Sequence, residues 1–206
     1  NKQGCDFVMA TGDIVGYGPQ PRECIDRLIQ LEIPSCRGNH DEYTLEDTSL
    51  LSINSNARFV IDWTREILDE DHRAFLKSLP DVIDAKEFGV THASNCFNPR
   101  WTYVLNESTA VLNFEHQHHR VSFNGHTHIP MVFSQNEQGN IAIKPVTKRI
   151  LNKEHKHLVN VGSVGQPRDR NFRASTVTFD TESFEVQIHR VEYDISITQK
   201  LMRDNK

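Results

Sequence analysis

A chain of 206 residues, 37% hydrophobic and 25% charged, has enough apolar mass for one substantial core, and its composition excludes a disordered polymer. A formal charge of -5 excludes the basic footprint of a nucleic-acid-binding protein, so any nucleotide has to be held locally. No apolar run approaches the ~18–20 residues of a membrane helix, and no signal peptide is expected. The four cysteines, Cys5, Cys24, Cys36 and Cys96, form no CxxC pair; they read as reduced thiols of a soluble cytoplasmic protein, three of them in the core.

Residues 6–10 read as a buried strand and Gly16-Tyr17-Gly18-Pro19 as a turn. Pro19 and Pro21 then open a helix with Cys24, Ile25, Leu28, Ile29 and Leu31 on its apolar face. Residues 33–36 form the next short strand, which makes a βαβ unit and a parallel pair. From about residue 56 to residue 79 the chain reads as helical, with Phe59, Val60, Trp63, Ile67 and Leu68 on one face. A break is expected near residues 69–71, and Pro80 ends the run. Strands are then expected at 82–86, 88–91, 121–123, 131–134, 141–146, 157–161, 175–180 and 185–191.

Two polar stretches in this half read as solvated surface. His116, His118 and His119 belong to an exposed, helical segment. Residues 144–156 are basic, but Glu154 interrupts them and no aromatics interleave, so a hairpin fits better than a nucleic-acid patch. Strand–helix alternation followed by a strand-rich half predicts two packed sheets with helices outside, in one domain over residues 1–206.

Four short motifs stand where expected strands end: Gly12-Asp13, Gly38-Asn39-His40-Asp41, Thr91-His92 and Gly125-His126-Thr127-His128. Loops beyond the carboxyl ends of strands converge on one crevice in open α/β sheets. One Asp, one Asn and three His brought there are the ligand types of a transition-metal site. Asp13 can bridge two cations about 3.5–4 Å apart, or cap the following turn. His126 and His128 point the same way only if their segment is extended; otherwise they are two surface histidines. His92 taken alone reads as a core or loop histidine.

Asn39 offers a neutral oxygen ligand, and His40 a general acid whose tautomer Asp41 could fix, although a turn rich in Asn and Asp explains the same residues. Gly162-Ser163-Val164-Gly165-Gln166-Pro167-Arg168 is either a tight loop or an anion cradle in which Arg168 holds a phosphate. Trp101 and Tyr103, within residues 95–113, could cover the cleft and stack on a nucleobase, or pack against the fold.

Together with Asn160-Val161, these motifs resemble the calcineurin-like metallophosphoesterases, in particular their small bacterial and archaeal phosphodiesterase branch. The resemblance runs over nearly the whole chain. It implies a four-layer α/β/β/α sandwich of two mixed sheets flanked by helices. It also implies two divalent metal ions, manganese first, with iron, zinc or nickel as alternatives. Asp13 would bridge both ions, Asn39, His92 and His126 would complete one site, and His128 would belong to the other. His40, oriented by Asp41, would protonate the leaving group or steady the transition state. The implied activity is hydrolysis of a small phosphodiester or phosphomonoester, a nucleotide among the candidates, by a metal-bound hydroxide. Neither a nucleic acid polymer nor a membrane is an expected partner.

One departure matters. The family opens with a strand ending in Asp-x-His, whereas this chain opens at Asn1-Lys2-Gln3-Gly4-Cys5, which resembles the tail of the following helix. A strand and most of a helix, about 20–30 residues, are expected to be missing before it. Asp69-Glu70-Asp71-His72 lacks the strand context to substitute. The competing expectation is therefore a non-catalytic scaffold on the same fold, as in the retromer scaffold subunit; against it, a scaffold has no use for His40, His92, His126 and His128.

Overall fold

Residues 4–46 and 53–204 are described by the structure, a computed structural model. They fall into two compact units, one formed by Val82–Glu192 with the first residues, the other by Asp6–Asp81 with the segment from Tyr193 onward. The fold class is α/β and includes a mixed sheet.

In the unit built on Asp6–Asp81, the helices are α1 (Pro21–Gln30), α2 (Asn39–Leu45), α3 (Ser55–Ile67) and α4 (Glu70–Ser78). Pro21 at the first position needs no N–H partner, so α1 starts there. The expected break between α3 and α4 arises where Asp69 turns its carboxylate back to cap His72 N–H at 3.1 Å. The core joins Val15, Ile25, Leu68, Leu76 and Leu79, so the loop after residue 10 is packed under α1 and α4. The α1 face is narrower than its periodicity predicts: Ile25 is buried, whereas Cys24, Ile29 and Leu31 are exposed. The α3 face is rotated, with Ile61 and Thr64 buried and Phe59 exposed.

The expected buried strand at residues 6–10 is instead a single parallel bridge, Ala10 to Ser35. Ala10 N–H reaches the Pro34 carbonyl at 2.9 Å, but Pro34 has no N–H with which to extend the ladder. Phe7 is 80% exposed. Asn1–Gln3, read as helix tail, lie outside the described residues, and Gly4 has a left-handed φ of 66°.

The other unit holds β1 (Val82–Asp84), β2 (Phe88–Thr91), α5 (Glu107–His116), β3 (Val121–Asn124), β4 (Met131–Gln135), β5 (Ile141–Pro145), β6 (Arg149–Ile150), β7 (Lys156–Asn160), β8 (Ala174–Asp180) and β9 (Glu185–Val191). Its six-stranded sheet runs β1-β2-β3-β7-β4-β5, and a three-stranded antiparallel sheet runs β6-β9-β8. β2, β3 and β7 are mutually parallel neighbours. Phe133 and Leu158 pack one face of the large sheet on Ala110 and Phe114 of α5. On the other face, Phe88 and Phe123 meet Phe179 of β8 at centroid distances of 5.9 and 5.4 Å. This unit is thus layered helix, sheet, sheet.

The basic stretch 144–156 is not a hairpin. β5 pairs with β4 and β6 with β9, so the segment crosses from one sheet to the other. Of the cysteines, Cys36 and Cys96 are buried, Cys5 is half-buried and Cys24 exposed, so the core takes two rather than three. His118 is exposed as expected, while His119 pairs with Asp84 at 3.1 Å. Among the described residues, no helix is long and apolar enough to cross a membrane.

Candidate metal centre

In the helical unit, the site residues are assembled around two close backbone approaches. A Cβ at Gly38 would lie 2.2 Å from both N and Oδ1 of Asp13, and one at Gly12 would lie 2.6 Å from Gly38 N. Only glycine lets these two chain segments touch. Gly12 also has φ of 83° and Asp13 of 53°, both left-handed. Asp13 Oδ1 accepts the His40 N–H at 2.9 Å, tying the loop to the first turn of α2, where Asn39, His40 and Asp41 are all buried.

The carboxylate of Asp41, expected to orient His40, holds four backbone amides. Oδ2 accepts the backbone N–H groups of Gly38 at 2.8 Å and Asp13 at 2.9 Å. Oδ1 accepts those of Ile14 at 2.9 Å and Val15 at 3.2 Å. The His40 ring takes its orientation from Gly16, whose carbonyl lies 3.2 Å from Nδ1, and from Tyr17, stacked on it at 4.0 Å. Gly16 is required here as well, since a Cβ would lie 2.6 Å from His40 Nδ1. Arg65 holds the far end of α2 by donating from Nε to the Tyr43 carbonyl at 3.1 Å.

In the sheet unit, His92 follows β2, His126 and His128 follow β3, and the loop 161–168 follows β7. Three adjacent parallel strands therefore deliver their C-terminal loops to one edge, the position at which α/β sheets bind ligands. His92 Nε2 and His126 Nδ1 face each other at 3.1 Å, both rings buried. His126 Nε2 lies 3.0 Å from the Trp101 carbonyl, which assigns the proton to Nε2 and the lone pair to Nδ1. Tyr103 stacks on the same imidazole at 3.9 Å. The segment carrying Trp101 and Tyr103 is thus packed on His92 and His126.

The two histidines of the His-x-His motif are not on an extended segment. His126 and His128 both have left-handed φ, 60° and 61°, so the backbone turns between them. His128 Nδ1 donates to the Gln166 carbonyl at 2.8 Å, and Arg168 N–H donates to the His128 carbonyl at 3.1 Å. The glycine-rich loop therefore clamps His128 through its Nδ1 and its backbone carbonyl. The exposed Arg168 guanidinium is held by the Gln166 side chain at 2.8 Å.

Several supports went unread in the sequence. Asn160 donates to the Gly125 carbonyl and accepts from Gly162 N–H at 2.9 Å, binding two ligand loops together. Asn113, fully buried in α5, accepts from Asn95 N–H at 2.9 Å and fixes the chain just after His92. Only their position, amides beside motif loops, could have flagged them.

The donors fit a divalent transition ion. Two imidazole nitrogens each about 2.0–2.1 Å from one ion stand about 3 Å apart, close to the spacing between His92 and His126. Each ring nitrogen turned away from the ligand role in His126 and His128 is satisfied by a backbone carbonyl, the outer arrangement common to metal-ligating histidines.

The sequence profile of the calcineurin-like phosphoesterase superfamily domain matches residues 1–183. The uncharacterized protein MJ0912 of Methanocaldococcus jannaschii is 37% identical over 198 residues, covering 94% of this chain and 79% of that protein. The crystal structure of a metallophosphoesterase from Sphaerobacter thermophilus superposes with a TM-score of 0.84 at 38% identity, over 97% of this chain and 83% of the other. The hypothetical protein PH1004 of Pyrococcus horikoshii shares the fold, with a TM-score of 0.77 at 20% identity over 98% and 82% of the two chains. With its motif loops and its fold both accounted for, this chain belongs to the calcineurin-like phosphoesterase superfamily.

Proposed function

We propose that the protein is a metal-dependent phosphoric ester hydrolase acting on a small phosphodiester or phosphomonoester. Asp13, Asn39, His92 and His126 would hold one divalent cation, and Asp13 with His128 a second. Membership of the family supports this reading, and the observation that carries it is the buried pair of facing nitrogens on His92 and His126. When bound, such cations supply a nucleophile at neutral pH and offset the charge that develops on the phosphoryl oxygens. Manganese is the first candidate, with iron, zinc and nickel also suited to mixed N/O ligands.

His40 is the proton donor in this reading. The Gly16 carbonyl favours a proton on Nδ1, so Nε2 is the atom that would pass its proton to the leaving oxygen. Arg168 would exchange its Gln166 partner for a phosphate oxygen. The acidic balance of the chain suits a small substrate, a nucleotide included, better than a polymer. The free thiols support a reducing, cytoplasmic setting.

The test is manganese-dependent hydrolysis of bis(p-nitrophenyl) phosphate by the protein, beside His40→Ala and His126→Ala. Turnover that requires manganese, falls about 10²–10⁴-fold in His40→Ala and vanishes in His126→Ala is expected. Turnover indifferent to His40→Ala would overturn the acid role, and absence of any metal-dependent turnover would favour a scaffold.

A further inference from the structure

We propose that Asp41 is a positioning residue that acts on the reaction through Asp13, by fixing the backbone of residues 12–15, and not through the ring of His40. The proposal rests on the reading of Asp13 as a metal ligand and adds to it the group that sets where that ligand stands.

The argument begins with the backbone. Asp13 in a left-handed conformation (φ 53°) turns the N–H groups of residues 13, 14 and 15 toward a common point. Successive N–H groups in such a turn form a concavity suited to an anion. Here the anion is built in: Asp41, fully buried, accepts all three N–H groups, at 2.9, 2.9 and 3.2 Å. A fourth bond, from Gly38 N–H at 2.8 Å, fastens the start of α2 to the same carboxylate. An ionised carboxylate has about four lone-pair positions, and these four amides match that capacity. Asp13 completes the exchange by accepting the N–H of His40 at 2.9 Å. The His40 ring has orienting partners of its own in the Gly16 carbonyl, 3.2 Å from Nδ1, and the stacked Tyr17.

The two roles separate experimentally. A residue that orients an acid changes how rate depends on the leaving group. A residue that places a ligand changes metal affinity. In Asp41→Asn a carboxamide would present one acceptor oxygen and one NH₂ to the four N–H groups, so the substitution breaks the clamp at nearly constant volume.

Manganese affinity of the metal-depleted protein is measured by calorimetry for wild type, Asp41→Asn and His40→Ala. Turnover at saturating manganese is compared for p-nitrophenyl and phenyl phosphodiesters. Asp41→Asn is expected to bind manganese about 10–100-fold more weakly while keeping the wild-type ratio between the two substrates. His40→Ala is expected to do the reverse. Wild-type manganese affinity in Asp41→Asn, with the substrate ratio shifted as in His40→Ala, would overturn the proposal.

Should Asp41→Asn fail to fold, amide hydrogen exchange on the metal-depleted wild type and His40→Ala decides. The amides of Asp13, Ile14 and Val15 are expected to be protected in both proteins, and fast exchange there overturns the clamp. A wild type that binds no manganese would sink the metal-centre reading itself, and the positioning role with it. Wild-type binding that Asp41→Asn leaves unaltered removes the positioning role alone.

Discussion

Asp13 and Asp41 hold each other's chain segments in a reciprocal exchange. The carboxylate of Asp41 takes the N–H of Asp13 at 2.9 Å, and the carboxylate of Asp13 takes the N–H of His40, next to Asp41, also at 2.9 Å. Two acidic side chains, Asp41 buried and Asp13 half-buried, are thereby fixed in one corner by backbone donors, each with its position defined before any ligand arrives. The corner closes only because Gly38 lacks a side chain. Gly38→Ala would set a methyl group 2.2 Å from Asp13 N, where backbone and not a pliable side chain has to give. A loss of about 1–3 kcal/mol of stability is expected, read from the urea midpoint, with manganese affinity reduced in whatever fraction folds.

Gly16→Ala should disable His40 without touching a candidate ligand. Its Cβ would lie 2.6 Å from His40 Nδ1, and its φ of 88° penalises any side chain. Turnover is expected to fall about 10²-fold or more, as for loss of a general acid, while calorimetry returns the wild-type manganese affinity.

Tyr103 is expected to matter as a support. Its ring stacks on the His126 imidazole at 3.9 Å, inclined by 29°, and such a stack contributes about 0.5–1.5 kcal/mol. Tyr103→Ala should weaken manganese binding roughly 2–10-fold, the equivalent of that energy, and Tyr103→Phe should restore it. A Phe variant as weak as the Ala variant would assign the effect to the hydroxyl instead.

His157 gives stability a pH dependence of its own. Burial lowers its pKa below the usual value near 6.5, the His155 charge adds to that, and the Asn152 carbonyl opposes it. Ser134 Oγ lies 2.8 Å from Nδ1 and the Asn152 carbonyl 2.9 Å from Nε2. A depressed folded-state value means the folded protein binds fewer protons than the unfolded chain. The contribution is therefore complete above about pH 6.5 and is lost as pH falls from there through the folded-state value, by at most about 1.4 kcal/mol per pH unit. Urea midpoints measured from pH 7.5 downward should fall less steeply for His157→Asn than for wild type. Parallel curves would show that His157 does not titrate with unfolding.

What could be read in advance followed from local rules. The strands at 88–91 and 185–191 coincide with β2 and β9, because alternating and β-branched runs bounded by turns leave little choice. The helix break before Glu70 was legible in Asp69 as a cap. The positions of His92, His126 and His128 just beyond strand ends were legible as well. What escaped depends on contacts across the chain. Phe59 lies outward because α3 is turned by its packing on neighbouring helices, a rotation that periodicity alone does not set. Asp41 was assigned to its sequence neighbour His40, and its bonds to amides 26 to 28 residues away, together with Gly38, went unread. The carbonyls of Trp101 and Gln166, which select the ring nitrogens of His126 and His128, carry no side-chain signature at all.

The left-handed backbone at Asp13, His126 and His128 sets stability against chemistry at those three positions. Each residue occupies a conformation that glycine adopts freely and other residues only at about 1–3 kcal/mol. Glycine at any of the three would relax its loop while deleting a proposed metal donor. Thermal robustness alone would favour glycine at all three corners, so the backbone strain there is set directly against the side chains proposed to hold metal.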